Sequence, residues 1–217
     1  LKLPILAQEL GVDTHALEML QVGYAELQGE ACWTFPERNA RGWIIGIARR
    51  LVAPTDGRGK LCAKGSRRGL TYCDGWDKYP GAVWIVEGGS DVAAGLSMGM
   101  CIVGRPSNTG GVDMLAQLLK PITRRQIIVL GENDKRSPDA STSHPHGCRG
   151  CLQCWPGKSG AKQTALAIAK QLGRTIRWMM PPSGVKDLRE YIKTIPLVGR
   201  ENYGKALAAG RMPIACV

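Results

Sequence analysis

Apolar residues between Leu6 and Leu20 recur at helical spacing and break at Gly11-Val12-Asp13. The pattern predicts two short helices, the second capped by Asp13 or Thr14. Trp33–Phe35, Trp43–Ile47 and Leu70–Tyr72 mix aromatic and β-branched residues between Gly and Pro breaks, and predict short strands. Residues 1–80 therefore read as a small α+β subdomain. Beyond them the pattern changes. Ala82–Glu87 (AVWIVE) and Gln126–Leu130 (QIIVL) are continuous apolar runs of strand length, Cys101–Gly104 is a shorter one, and Thr175–Met179 is a fourth strand. Ser90–Met98, Val112–Leu119, Gly160–Leu172 and Lys186–Lys193 have helical character. Strands alternating with helices predict an α/β domain over 81–195, a parallel sheet flanked by helices and built from right-handed crossovers. Residues 196–217 are expected to form a terminal helical segment, and no internal repeat is visible.

The 217 residues suffice for one large or two small domains, and 44% hydrophobic with 22% charged residues excludes a disordered chain. No apolar run approaches the roughly 18 residues of a membrane span, and no signal peptide is recognisable, so no membrane partner is expected. The first residue is Leu1 rather than Met, as in a piece of a longer protein. Charge changes the picture most. Between Arg38 and Arg68 lie nine Arg and Lys residues and one acid, Asp56, so eight of the eleven net positive charges sit there. Such a concentration points to a polyanion, and the interleaved Trp33 and Trp43 suit stacking on unpaired bases. The alternative is a solvated basic face. Five of the eight cysteines, Cys32, Cys62, Cys73, Cys101 and Cys216, are scattered as small hydrophobes, which fits a reducing, cytoplasmic setting.

In such sheets ligands bind at the carboxyl ends of the strands, and acids cluster there. Val86-Glu87-Gly88-Gly89-Ser90-Asp91 puts Glu87 on a strand tip, two glycines in the turn and Asp91 one helical turn later. Leu130-Gly131-Glu132-Asn133-Asp134 carries two carboxylates one residue apart, able to point the same way. Carboxylates delivered by two strand tips to one crevice suit Mg²⁺ or Mn²⁺ and metal-assisted phosphoryl transfer. Without a ligand, Glu87 and Asp91 would be helix-start acids and Glu132 and Asp134 loop acids.

The two segments resemble the TOPRIM domain of DnaG-type primases, topoisomerases and some nucleases, with a strand-terminal Glu before Gly and a later Asp-x-Asp. Glu87 and Asp134 match; Glu132 stands where the first Asp is usual. Pro182-Ser183-Gly184-Val185-Lys186-Asp187 is similar to the primase segment that supplies a further acid, Asp187, with Ser183 in place of another. Ala40–Arg49 (ARGWIIGIAR) and Lys60–Ser66 (KLCAKGS) resemble the primase stretches that bind template and triphosphate. The resemblance, closest to primases and primase-helicases of phages, plasmids and integrated elements, spans most of residues 30–190. It implies a Rossmann-like TOPRIM sheet and primer synthesis on single-stranded DNA from nucleoside triphosphates. It further implies Glu87, Asp91, Glu132, Asp134 and Asp187 as catalytic acids, with Mg²⁺ or Mn²⁺ at Glu87, Glu132, Asp134 and Asp187. Template and triphosphate would meet Arg41, Arg49, Lys60, Lys64, Ser66 and Arg67, and a replicative helicase, fused or separate, would be a partner. The alternatives are a TOPRIM nuclease or topoisomerase fragment, and a non-catalytic nucleic-acid-binding module.

Separately, His144, His146, Cys148, Cys151 and Cys154 fall within 11 residues, in an insertion at 135–157. Cys-x-x-Cys spacing with a nearby His suits a closed structural Zn²⁺ site; iron–sulfur ligation and free thiols are the other readings. Gly157-Lys158-Ser159-Gly160 lacks the spacing of a phosphate-binding P-loop.

Overall fold

The computed structural model describes residues 2–55, 58–135, 154–195, 204–206 and 209–210. Two short helices open the chain, α1 (Leu3–Leu10) and α2 (Thr14–Met19). Asp13 occupies the N-cap position of α2, yet its side chain makes no capping bond; its N–H donates instead to Ser97 Oγ at 2.9 Å. An antiparallel meander follows, in the order β1 (Gly23–Leu27), β2 (Glu30–Arg38), β3 (Ile44–Thr55) and β4 (Arg58–Cys62). The expected strand at Trp33–Phe35 lies inside β2 and that at Trp43–Ile47 opens β3, although Trp43 itself precedes the strand. β1 and β4 were not expected. Gln28 and Gly29 join β1 to β2 with φ of +58° and +76°, the left-handed pair that a two-residue hairpin requires. The expected strand at Leu70–Tyr72 is instead a strap: Leu70 bridges Arg38, and Thr71 bridges Gly104 of the second sheet.

That second sheet is wholly parallel, in the order β6 (Cys101–Arg105), β5 (Val83–Glu87), β7 (Ile127–Leu130), β8 (Arg177–Met179). Crossover helices α3 (Gly89–Ser97), α4 (Val112–Leu119) and α5 (Pro156–Leu172) connect the strands, and α6 (Leu188–Thr194) follows β8. α3 packs with α2 and α6, while α4 packs with α5. Successive right-handed crossovers on either side of β5 put these two groups on opposite faces. The α/β pattern expected after residue 80 is thus present, with element boundaries shifted by at most four residues. Of 196–217 only 204–206, a helical turn, and 209–210 lie among the described residues. No helix there is long and apolar enough to cross a membrane.

One apolar core runs through both sheets, from Leu6, Leu10 and Leu17 through Trp33 and Phe35 to Val83, Trp84 and Ile85. Trp33, expected to stack on bases, is a core residue, 4% exposed, with its ring edge-on to Tyr24. Trp43 is 68% exposed. The tightest backbone contact in the first sheet is at Gly46 of β3, where a Cβ would overlap the Arg67 carbonyl oxygen. Gly46→Ala is therefore expected to lower stability by about 1–3 kcal/mol, read as a drop in urea midpoint at unchanged m-value.

Candidate active site at the strand tips

The chain crosses to one side of β5 to form β6 and to the other to form β7, so the crevice opens where the strand order switches. Glu87 ends β5 and pairs in register with Arg105 at the end of β6. Gly88 then turns the backbone at φ +78°, ψ 164°, a conformation open to glycine, and its N–H donates to the Arg105 carbonyl at 3.1 Å. Gly89 starts α3 directly against Phe35: a Cβ there would lie 2.6 Å from the Phe35 ring. The first sheet thus packs onto the turn that carries Glu87.

Beyond β7, Asn133 fastens two loops together. Its N–H donates to the Lys186 carbonyl at 2.7 Å, and its Nδ2 donates to the carbonyls of Val185 at 2.6 Å and Pro182 at 3.0 Å. Glu132 and Asp134 are thereby held beside the segment that carries Asp187. Both aspartates also serve helix starts. Asp134 Oδ1 accepts from Gly157 N–H at 2.8 Å in the first turn of α5, and Asp187 Oδ1 accepts from Glu190 N–H at 2.8 Å as the N-cap of α6. Each carboxylate meets the positive end of a helix dipole.

Electrostatics divides the acids into two overlapping groups. Asp91 is buried in α3 and accepts from Arg189 N–H at 3.0 Å. Burial, reinforced by repulsion from Asp187 and Glu132, pushes its carboxyl well above the usual carboxylate range. Arg105 is 0% exposed, with Nη2 4.0 Å from Glu87 Oε2. Burial lowers its pKa, while Glu87, Glu132 and Asp134 act to retain its proton. Among the described residues, no three His, Cys, Asp or Glu side chains are grouped so as to hold one metal ion. The acids fit Mg²⁺ in another way, because that ion takes one or two carboxylates and completes its shell with water and substrate phosphates.

A cleft of about 450 Å³ separates the first sheet from this crevice, with Arg50 and Arg68 on one wall and Glu87, Gly88 and Ser90 on the other. Glu37, 2% exposed, anchors Arg68 by paired bonds of 2.8 and 2.9 Å and also accepts from Gly69 N–H. Arg50 bonds Glu9 at 2.6 Å. Of the expected binding residues, Arg41, Lys64 and Arg67 are exposed. Arg49 also borders the cleft, but its guanidinium is buried on the Leu27 carbonyl at 2.8 Å and lies 3.9 Å from Glu30. Ser66 Oγ accepts from Ile47 N–H at 3.0 Å and so braces β3. The Lys60 side chain lies outside the described residues, as do His144, His146, Cys148 and Cys151; Cys154 is in the turn before α5. Sequence reasoning missed Arg105, Asn133, Glu37 and the roles of Arg50 and Arg68. The position of Asn133 between two acids was the available signal.

The Asp91 shift has a definite sign. A carboxyl raised in the folded state stabilises fully below its unfolded value, and that stability is lost as pH rises through the folded value. Asp91→Asn keeps an acceptor for Arg189 N–H and removes the charge. In metal-free buffer it should unfold at higher temperature than wild type near neutral pH, with the difference vanishing near pH 4 (about the unfolded Asp value). Equal melting curves at both pH values would mean that Asp91 carries no such strain.

No protein-family model matches the sequence, and no curated protein matches it. Solved structures do. The E. coli primase catalytic core is 17% identical over 93% of this chain and 72% of that one, with a TM-score of 0.64. A DnaG primase catalytic domain bound to single-stranded DNA is also 17% identical, over 93% of this chain and 69% of that one, with a TM-score of 0.63. The primase fragment of the bacteriophage T7 primase-helicase is 14% identical over 93% and 71%, with a TM-score of 0.53. The chain has the fold of the DnaG-type primase catalytic core.

Proposed function

We propose that this chain is the catalytic core of a DNA primase, making RNA primers on single-stranded DNA by nucleotidyl transfer. The observation that carries the reading is the cleft in which Arg50 and Arg68 face the Glu87-Gly88 turn, set in a fold shared with primase cores. Cations on one wall and carboxylates on the other suit a triphosphate and the ions that accompany it. The 3′-hydroxyl oxygen of one nucleotide attacks the α-phosphorus of the next. The bond to pyrophosphate breaks, pyrophosphate leaves with the bonding electrons, and Glu87 at the cleft wall accepts the hydroxyl proton. Arg50 and Arg68 share their charge between their present carboxylate partners and the triphosphate. Mg²⁺ or Mn²⁺, held by pairs among Glu132, Asp134 and Asp187, would neutralise charge on the phosphates. Asn133 keeps those acids in register. The template would run over the exposed face formed by Arg41, Trp43, Lys64 and Arg67. The DnaG neighbour with bound single-stranded DNA and the T7 primase-helicase neighbour support template and helicase as the partners to test.

A second reading, a nucleic-acid-binding module without catalysis, is favoured by the helix-capping roles of Asp134 and Asp187 and by Glu132 in place of Asp. Primer synthesis by purified protein with single-stranded DNA, nucleoside triphosphates and Mg²⁺ or Mn²⁺ separates the two. Asp134→Asn can still accept from Gly157 N–H, so it should fold normally. It is expected to reduce primer synthesis at least about 100-fold while single-strand affinity stays within about two-fold. Unimpaired synthesis by this variant would remove Asp134 from the reaction.

Template binding makes its own forecast. Neutralising Arg41, Lys64 and Arg67 together should flatten the dependence of affinity on salt by up to about 2 in slope, at about 0.7 per phosphate contact on a single strand. Trp43→Ala should weaken binding by about 1–3 kcal/mol with the slope unchanged, as for a lost stacking contact. Fluorescence anisotropy across a salt series reads both, and an unaltered triple variant would place the strand elsewhere.

A further inference from the structure

Arg105 is enclosed beside the acidic strand tips. It ends β6 beside Glu87 and is 0% exposed. Its Nη1 donates to Thr164 Oγ1 of α5 at 3.0 Å and to the Asn108 carbonyl. Thr164 is itself buried and donates to the same Asn108 carbonyl at 3.1 Å, so the Nη1 end of the guanidinium is fixed. Its Nε and Nη2 make no hydrogen bond among the described residues, and Nη2 is directed toward Glu87 at 4.0 Å. A buried guanidinium with incomplete hydrogen bonding is costly unless carboxylates compensate it, and the acids acting on it are Glu87, Glu132 and Asp134.

We propose that Arg105 is a built-in counter-cation of the acidic site. Its fixed charge does at Glu87 what a bound divalent ion would otherwise do. The substrate-free protein thus keeps its carboxylates gathered without a divalent ion at Glu87. The inference rests on reading these carboxylates as metal ligands. Arginine remains protonated under all ordinary conditions, so its compensation is permanent, and a divalent ion approaching Glu87 is repelled by it.

The test is thermal unfolding of the whole chain without nucleotide, in chelator or in increasing Mn²⁺, with fold checked by circular dichroism. Wild type and Arg105→Lys, which keeps the charge, should melt similarly in chelator and gain little from Mn²⁺. Arg105→Met should melt lower in chelator, gain at least twice as much from Mn²⁺, and show an apparent Mn²⁺ affinity about ten-fold tighter. That is the change expected when an adjacent like charge worth about one pKa unit is removed. A folded Arg105→Met with the Mn²⁺ response of wild type, or a weaker one, overturns the proposal. Should this variant not fold even with Mn²⁺, Arg105→Met with Glu87→Gln removes one charge of each sign. Folding of the pair supports the counter-cation role, and its failure assigns Arg105 to hydrogen bonding alone and overturns it. If no protein responds to Mn²⁺ even with a nucleoside triphosphate present, the reading of these acids as metal ligands fails instead. A response in all variants that is equal in size sinks only the role of Arg105.

Discussion

Like charge gathered at one place governs this structure. Glu87, Asp91, Glu132, Asp134 and Asp187 are brought to one end of a parallel sheet, and two carboxylates about 5 Å apart repel by roughly 3 kcal/mol at an effective dielectric near 20. The fold answers each repulsion with a different device. Arg105 sits against Glu87, the starts of α5 and α6 receive Asp134 and Asp187, and the Arg189 N–H meets Asp91. Even so Asp91 remains well above the ordinary carboxylate range. Such residual strain is characteristic of sites organised for a ligand rather than for stability alone.

The antiparallel sheet is subordinate to this arrangement. Phe35 of β2 presses on Gly89 and so supports the turn after Glu87. Glu37, two residues on and on the same side of the strand, holds Arg68 across the cleft. The Leu70–Thr71 strap then bonds to Arg38 in one sheet and Gly104 in the other. Basic and acidic walls are therefore fixed relative to one another by core packing, by backbone pairing and by the bond from Arg68 Nη2 to the Pro106 carbonyl at 2.6 Å.

Much of this was legible in the chain because burial writes itself into periodicity. Ala82–Glu87 and Gln126–Leu130 could hardly be anything but interior strands, and acids directly after them had to lie at the strand ends. β1 escaped because Gly23–Leu27 alternates between half-buried and exposed positions, with no strong apolar face. Leu70–Tyr72 had strand composition but serves as a bridge, a choice made by tertiary pairing that local propensity does not contain. Trp33 and Trp43 look alike as isolated aromatics, yet Trp33 enters the core from β2 while Trp43, just ahead of β3, stays in solvent. Arg49 and Arg50, adjacent in β3, are sent to opposite sides by strand alternation, one onto the Leu27 carbonyl and the other to Glu9. Arg105 was illegible for a different reason. A lone arginine after a short apolar run ordinarily faces water, and only the neighbouring strand tips make it an interior cation.

Residues on the two sides of the 136–153 stretch are stitched to one another and to the neighbouring loop. Trp155 Nε1 donates to the Glu132 carbonyl at 3.0 Å, Asp134 accepts from Gly157 N–H, and Asn133 is tied to the loop before α6. The entropy of closing a loop between joined ends grows only with the logarithm of its length. Contacts that tie Glu132 and Asp134 to the start of α5 thus lie in the flanking residues, and lengthening the stretch between them adds little closure cost.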